Sequence, residues 1–393
     1  MSTETFLQEI SSTLHRSEQA EWAALVACAL PNPNALQVRS TFPSDLNWPS
    51  LQERALEHGM LPLLTRRLQA MDPSPVPEAI RNSLCESQRA QTALALRLTA
   101  ELFRVLDRFA EAGIETLVTK GPVLSVRCYG DPGMRQYGDL DLVVRHRDIQ
   151  RSTQTMLDLG YRSKVPVRVI EVQKIPGEYT FRNSDDQVLV EFHTERTFRY
   201  HPRRLNIEEL FHRKASVVID GRGVPALSVE DELVLISIHG SKHFWERLMW
   251  IADVAALISS GTFGWNRAIE SAREVSAERI LRVALRLAAD VLGARLPSPL
   301  EAEIRSDRAV GRLANQITRR LASSNSMGIL ERAAFRVKMR GGMLDGAAYL
   351  LRLSFSPTED DWLPGREHAR PWLLDAIGRP LRLARKHRRR TAP

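Results

Sequence analysis

One stretch constrains the fold more than any other: Leu117 to Val144, LVTKGPVLSVRCYGDPGMRQYGDLDLVV. The β-branched run Ile114–Thr119 reads as a buried strand. Gly121-Pro122 turns the chain, and Pro122 suits the first position of a short helix, Val123 to Tyr129. Gly130-Asp-Pro-Gly133 is a second turn, and Leu140–Val144 a second strand. Side chains alternate along a strand, so Asp139 and Asp141 fall on one face and Leu140, Leu142 and Val144 on the other. Neighbouring carboxylates repel unless a cation lies between them. A hard divalent ion, with its preference for carboxylate oxygens, answers that need.

The flanks read as helical. Phe6 to Leu14, Glu21 to Leu30 and Trp48 to Leu68 have helix-like apolar spacing, and Glu78 to Ala112 reads as one long amphipathic helix closed by Gly113. His15 and His58 stand alone in this region and read as surface residues. After the second strand, Arg147 to Leu159 is a helix. Val165–Val172 and Glu178–Arg182 read as strands, and the turn 183–186 leads into a strand at Gln187–His193. Ser228, with Asp231 three residues later, marks the N-terminus of a helix that runs to about Trp245. Leu248–Ile258, Ser276–Gly293, Glu301–Ala322 and Gly328–Leu353 complete the helices. The expected class is α+β: a small mixed β-sheet core flanked by N- and C-terminal helical regions. The expected divisions are 1–112 (helical), 113–225 (α/β core), 226–355 (helical) and 356–393 (a tail with Trp and Pro, then basic).

Composition excludes several classes. With 393 residues, 43% of them hydrophobic, the chain is long enough for a sizeable core. No apolar run approaches the ~18 residues of a membrane span, and the N-terminus lacks the pattern of a signal peptide. Three scattered cysteines make neither a disulfide framework nor a metal-ligand pattern, so the expected compartment is a reducing cytoplasm. The net charge of +8 suits an anionic partner. However, Arg379–Arg390 alone holds seven Lys/Arg and no acid. That run reads first as a solvated tail, and second as a weak contact with nucleic acid or an anionic surface.

The surroundings of the acid pair narrow the chemistry. A glycine turn between strand and helix aims backbone N–H groups at an anion. Lys120 adds a cation there, and Arg135 stands just before the acids. A phosphate binder followed by metal-binding carboxylates is the layout of phosphoryl-type transfer, in which the protein mostly positions groups and neutralises charge. A third acid is needed, and Glu191, on the same strand face as His193, is the candidate. His239 and His243, four apart, share a helix face. The zinc-protease pattern needs Glu after the first His, and Gly240 stands there instead.

These features resemble the nucleotidyltransferases of the DNA polymerase β superfamily. More narrowly, the chain is similar to the bacterial "uncharacterised nucleotidyltransferase" family. The matching residues are Lys120-Gly121, then Tyr129-x-Asp131-Pro132-x-x-Arg135, then Gly138-Asp139-Leu140-Asp141-Leu142. Glu191-Phe192-His193 and His239-x-x-Lys242-His243 with Trp250 and Asp253 follow. Glu191 replaces a more usual aspartate, and Pro122 follows the glycine where many superfamily members have Ser or Gly. The resemblance implies Mg²⁺ or Mn²⁺ on Asp139, Asp141 and Glu191. It implies an NTP contacted by Lys120, Gly121, Ser125, Arg135, Lys242 and His243. The implied reaction moves an NMP group to an acceptor hydroxyl of a small molecule, a peptide or protein, or RNA, with pyrophosphate leaving. The alternative is a degenerate, non-catalytic nucleotide- or nucleic-acid-binding protein of the same fold. Asp253 is expected to pair with a Lys or His, and Tyr129 and Trp250 to lie in the core.

Overall fold

Among the described residues of a computed structural model of the chain, seven strands carry the architecture: β1 (Thr116–Thr119), β2 (Asp139–Val144), β3 (Arg162–Ser163), β4 (Glu178–Arg182), β5 (Leu189–His193), β6 (Ala215–Ile219) and β7 (Arg222–Ala226). They form one mixed sheet in the order β3-β4-β5-β2-β1-β7-β6. The β1/β2 pair is antiparallel, while β2 runs parallel to β5 and β1 parallel to β7. The structure describes residues 16–359 apart from 32–34, 72–75, 172–176, 186, 195–202, 204–205, 260–262, 324–326 and 357–358. The expected Phe6–Leu14 helix, His15, part of the 183–186 turn and the basic run 379–390 lie outside the described residues.

Strand alternation sorts the sheet's two faces. On one, Val118, Leu140, Leu142, Val144, Val190 and Phe192 pack against the long Glu78–Glu111 helix. Its residues Leu98, Leu102, Val105 and Phe109 recur at helical spacing and are fully buried. Phe109 meets Phe192 edge to face at 5.8 Å. On the other face, Leu117 and Val143 join a second core, shared by helices from both ends of the chain: Trp22 and Leu25 with Leu233, Ile251 and Leu285. The upper end of that face carries Asp139, Asp141, Glu191 and His193 in place of apolar residues.

Four expectations change. Residues 165–171 of the expected Val165–Val172 strand form no strand, and residue 172 lies outside the described residues. A short helix, Val167–Glu171, follows Pro166, whose fixed φ starts a helix readily, and it buries Val169 and Ile170. The β6–β7 hairpin adds two strands beyond those expected. Its turn is Asp220-Gly221 with φ of 48° and 77°, the pair of positive values that a tight right-twisted hairpin requires. Three long helical patterns are each broken in two. Gly59 (φ 72°) separates Trp48–Glu57 from Leu61–Gln69, and Gly341-Gly342 separates Ile329–Lys338 from Met343–Phe355. Asp307 separates Ser298–Ser306 from Arg308–Ser323 by accepting the N–H groups of Ala309 and Val310 at 2.8 and 3.1 Å. Finally, His58 is buried, stacked edge-on against Trp22 at 5.1 Å.

Candidate active site

Register assembles the acid face. The parallel β2/β5 ladder sets Asp141 opposite Glu191 and Val143 opposite His193, while β1 sets Thr119 opposite Asp141. Residues 139 and 141, and 191 and 193, are each two apart, so all four side chains leave the sheet on one side. Asp141, Glu191 and His193 each offer a ligand atom, and these atoms lie within 4.8 Å of one another. Asp139 shares the face but is not part of that cluster.

Asp141 is the hub. Its Oδ1 accepts from Lys120 Nζ and lies 2.7 Å from His193 Nε2. Burial alone would raise its pKa, but the ammonium of Lys120 and the hydrogen bond from His193 outweigh burial and hold the carboxyl below the usual carboxylate range. Asp139 and Glu191 shift the other way. Burial raises both, and the negative charge of Asp141 adds to it. Lys120 is itself buried. Desolvation opposes its charge, and Asp141, Asp139 and Glu191 more than compensate, raising its pKa.

The Lys-Gly turn is held from outside the sheet. Glu232, fully buried in the first turn of the Val229–Lys242 helix, accepts from the Thr119 hydroxyl at 2.9 and 3.0 Å and from the Lys120 N–H at 2.9 Å. Lys120 takes φ 54° and ψ −145°, and Gly121 follows at φ 43°. The first value is rare for any side-chain-bearing residue, and the second is natural for glycine. The Gly121–Tyr129 helix then starts just past Thr119, the β1 residue paired with Asp141, so the positive end of its dipole lies at that end of the sheet. The Ser228 hydroxyl caps the Val229–Lys242 helix through the Asp231 N–H at 3.1 Å, so the expected start signal sets where Glu232 emerges.

The other residues expected at the site have protein partners of their own. Arg135 points inward. Its Nε meets Asp253 Oδ2 at 2.9 Å, both residues are buried, and Tyr129 OH donates to the other carboxylate oxygen at 2.8 Å. Asp253 therefore pairs with an arginine and a tyrosine, not with the Lys or His expected. The Ser125 hydroxyl donates to the Asp131 carbonyl at 2.7 Å and the residue is fully buried. Lys242 Nζ lies 3.5 Å from Glu178, whose strand position pairs with His193. The half-buried rings of His243 and Trp250 have centroids 5.3 Å apart, with His239 4.7 Å from His243. Burial and the Lys242 and Lys120 charges push His243 down to about 4, so this ring is neutral near pH 7.

The sequence alone assigns no role to His193 or Glu232. For His193 a signal existed: it lies two residues past Glu191 on one strand, hence on the same face. For Glu232 no local signal exists, since an acid in a helix's first turn is ordinary and its partner is 112 residues away.

The donors fit a divalent cation. Two carboxylates and an imidazole converge, a set that suits Mg²⁺ or Mn²⁺ on the oxygens. His193 Nε2 is the ring nitrogen that faces both carboxylates, 2.7 Å from Asp141 Oδ1 and 3.9 Å from Glu191 Oε2.

No curated protein matches the chain. Among solved structures it is similar to an antigenic nucleotidyltransferase-like protein from Paracoccidioides brasiliensis, at 15% identity and a TM-score of 0.33, covering 55% of this chain and 92% of that one. A family model described as "uncharacterised nucleotidyltransferase" matches residues 44–293, well over half of the chain. That span takes in the whole acid face, the Lys-Gly turn and the helices that carry Glu232, Lys242 and Asp253, and the chain belongs to the uncharacterised nucleotidyltransferase family.

Proposed function

We propose that the protein transfers a nucleoside monophosphate from an NTP to an acceptor hydroxyl and releases pyrophosphate. One observation carries the reading: Asp141, Glu191 and His193 converge beside a Lys-Gly turn that opens a helix. Asp139, Asp141 and Glu191, with His193, would hold Mg²⁺ or Mn²⁺. Bound there, the ion supplies charge neutralisation for the triphosphate. The N-terminus of the Gly121–Tyr129 helix and the Lys120 ammonium receive phosphate oxygens. Pro122 offers no N–H, so the backbone share of that cradle is smaller than in a Gly-Gly or Gly-Ser turn. Glu191 keeps 29% of its side chain exposed, and burial with the Asp141 charge raises its pKa, which suits it to take the proton of an incoming hydroxyl. The acceptor oxygen then bonds to the α-phosphorus as the bond to the bridging oxygen breaks. His243 and Trp250, rings together beside Lys242, would border the nucleotide.

The test uses purified protein with each labelled NTP and Mg²⁺ or Mn²⁺, alone and with cell extract. Label transferred by wild type and lost in Asp139→Ala/Asp141→Ala is the expected result. Absence of any metal-dependent NTP binding would overturn the enzyme reading. Steeply salt-dependent nucleic-acid binding without transfer would favour the non-catalytic alternative.

A further inference from the structure

The conformation of Lys120 is expensive and its side chain is committed. At φ 54° and ψ −145° it occupies a region that is comfortable only for glycine, yet the residue is lysine. Glu232 enforces that backbone by accepting its N–H at 2.9 Å and the neighbouring Thr119 hydroxyl. The result sends the side chain back over the strand, where Nζ meets Oδ1 of Asp141. The same oxygen faces His193 Nε2 at 2.7 Å and belongs to the three-residue donor cluster. Both side chains are buried, 9% and 2% exposed, so water screens neither charge effectively.

We infer that Lys120 is a built-in counter-ion that competes with the divalent cation for Asp141. Resting on the metal-dependent reading above, the inference adds a rule of binding order to it. A cation arriving alone must displace an ammonium that is held in place, so it binds weakly. A triphosphate at the adjoining helix N-terminus gives the displaced ammonium a new anionic partner, so metal and triphosphate bind as a coupled pair. The strain at Lys120 is then accounted for. Glycine would fit the backbone better but could not neutralise the acid face while the metal is away.

The experiment measures Mn²⁺ affinity of the full chain by electron paramagnetic resonance without nucleotide, for wild type, Lys120→Gln, Lys120→Gly, Lys120→Arg and Asp141→Asn. Lys120→Gly keeps the test sound if glutamine disturbs folding, because glycine adopts this backbone freely. The expected result is Mn²⁺ binding on the order of tenfold or more tighter in the Gln and Gly variants, near wild type in the Arg variant, and lost in Asp141→Asn. A saturating non-hydrolysable NTP analogue should tighten Mn²⁺ binding in wild type well beyond its effect in Lys120→Gly, after allowance for the metal–analogue complex free in solution. Equal Mn²⁺ affinity in wild type and Lys120→Gly overturns the inference and leaves the metal site standing. Tighter binding in Lys120→Arg also overturns it, since charge would not be the cause. No Mn²⁺ binding in any variant overturns both the inference and the metal-dependent reading.

Discussion

Arg135 and Asp253 show what one buried pair does for this site. Both are almost fully buried, and Asp253 divides its two oxygens between Arg135 and Tyr129. The pair joins the loop before β2 to the Leu248–Ser259 helix, so it fixes where Asp139 and Asp141 begin. Its Coulomb attraction is offset by desolvation, but removing one partner strands the other charge, at about 3–5 kcal/mol. Arg135→Ala should therefore lower the urea midpoint sharply at constant slope. Arg135→Met/Asp253→Leu should recover part of that loss. It should stay below wild type by about 1–3 kcal/mol, because the Tyr129 hydroxyl is left unpaired. A double variant no more stable than Arg135→Ala would show that the pair is not the source of the loss. The chemistry of this pair was visible in the sequence but its geometry was not. An arginine near a Lys-Gly turn reads as a phosphate contact, whereas its protein partner lies 118 residues away and no local pattern announces it. Asp139 and Asp141 were legible for the opposite reason: strand alternation is local, and two residues of spacing fix the shared face.

The helices show the same division between local and distant causes. The Glu78–Glu111 helix was readable because its apolar stripe persists and Gly113 (φ 65°) follows its end. The breaks at Gly59, Asp307 and Gly341-Gly342 interrupt continuous apolar patterns, so periodicity ran through them. The Asp220-Gly221 hairpin carried an available signal that its short, half-buried strands obscured. Gly240 makes an element-scale prediction in which two effects oppose. Alanine inside a helix is favoured over glycine by about 1 kcal/mol. Here, however, an added Cβ would lie 2.8 Å from three atoms of the Trp245 indole. Trp245 is fully buried and held at φ 56°, with its N–H on the Gly240 carbonyl at 2.8 Å, so the ring cannot retreat cheaply. Overpacking of this kind costs about 1–3 kcal/mol, which outweighs the gain in propensity. Gly240→Ala should lower the melting temperature and, under the proposed function, weaken NTP binding by shifting the helix end next to Lys242 and His243. A melting temperature raised by the substitution would contradict this packing.

At the scale of the molecule, the helices before residue 85 and those after residue 206 share one core, and His58 sits at their junction. Its Nδ1 accepts the Leu248 N–H at 3.4 Å, its carbonyl accepts the Met249 N–H at 3.2 Å, and its ring meets Trp22. Nε2 is buried without a partner among the described residues, so the site accommodates only the neutral ring. Burial first, then the charges of Arg54 and Arg247, push its pKa from 6.5 down to about 4. The sign follows from linkage. The unfolded chain takes up a proton below pH 6.5 and the folded chain does not until about pH 4. The contribution of His58 is therefore intact above 6.5 and lost progressively as pH falls through that window. With one pKa unit worth about 1.4 kcal/mol, the full loss is on the order of 3 kcal/mol. His239 and His243 are also held low, so wild type alone would not isolate His58. Comparing the melting temperature of wild type and His58→Gln between pH 8 and pH 4.5 does isolate it. The variant should be less stable at pH 8, where the imidazole's packing and hydrogen bond are lost, but should decline less steeply on acidification. Parallel declines would mean that the junction tolerates a charged His58, and that acid reaches the shared core by another group.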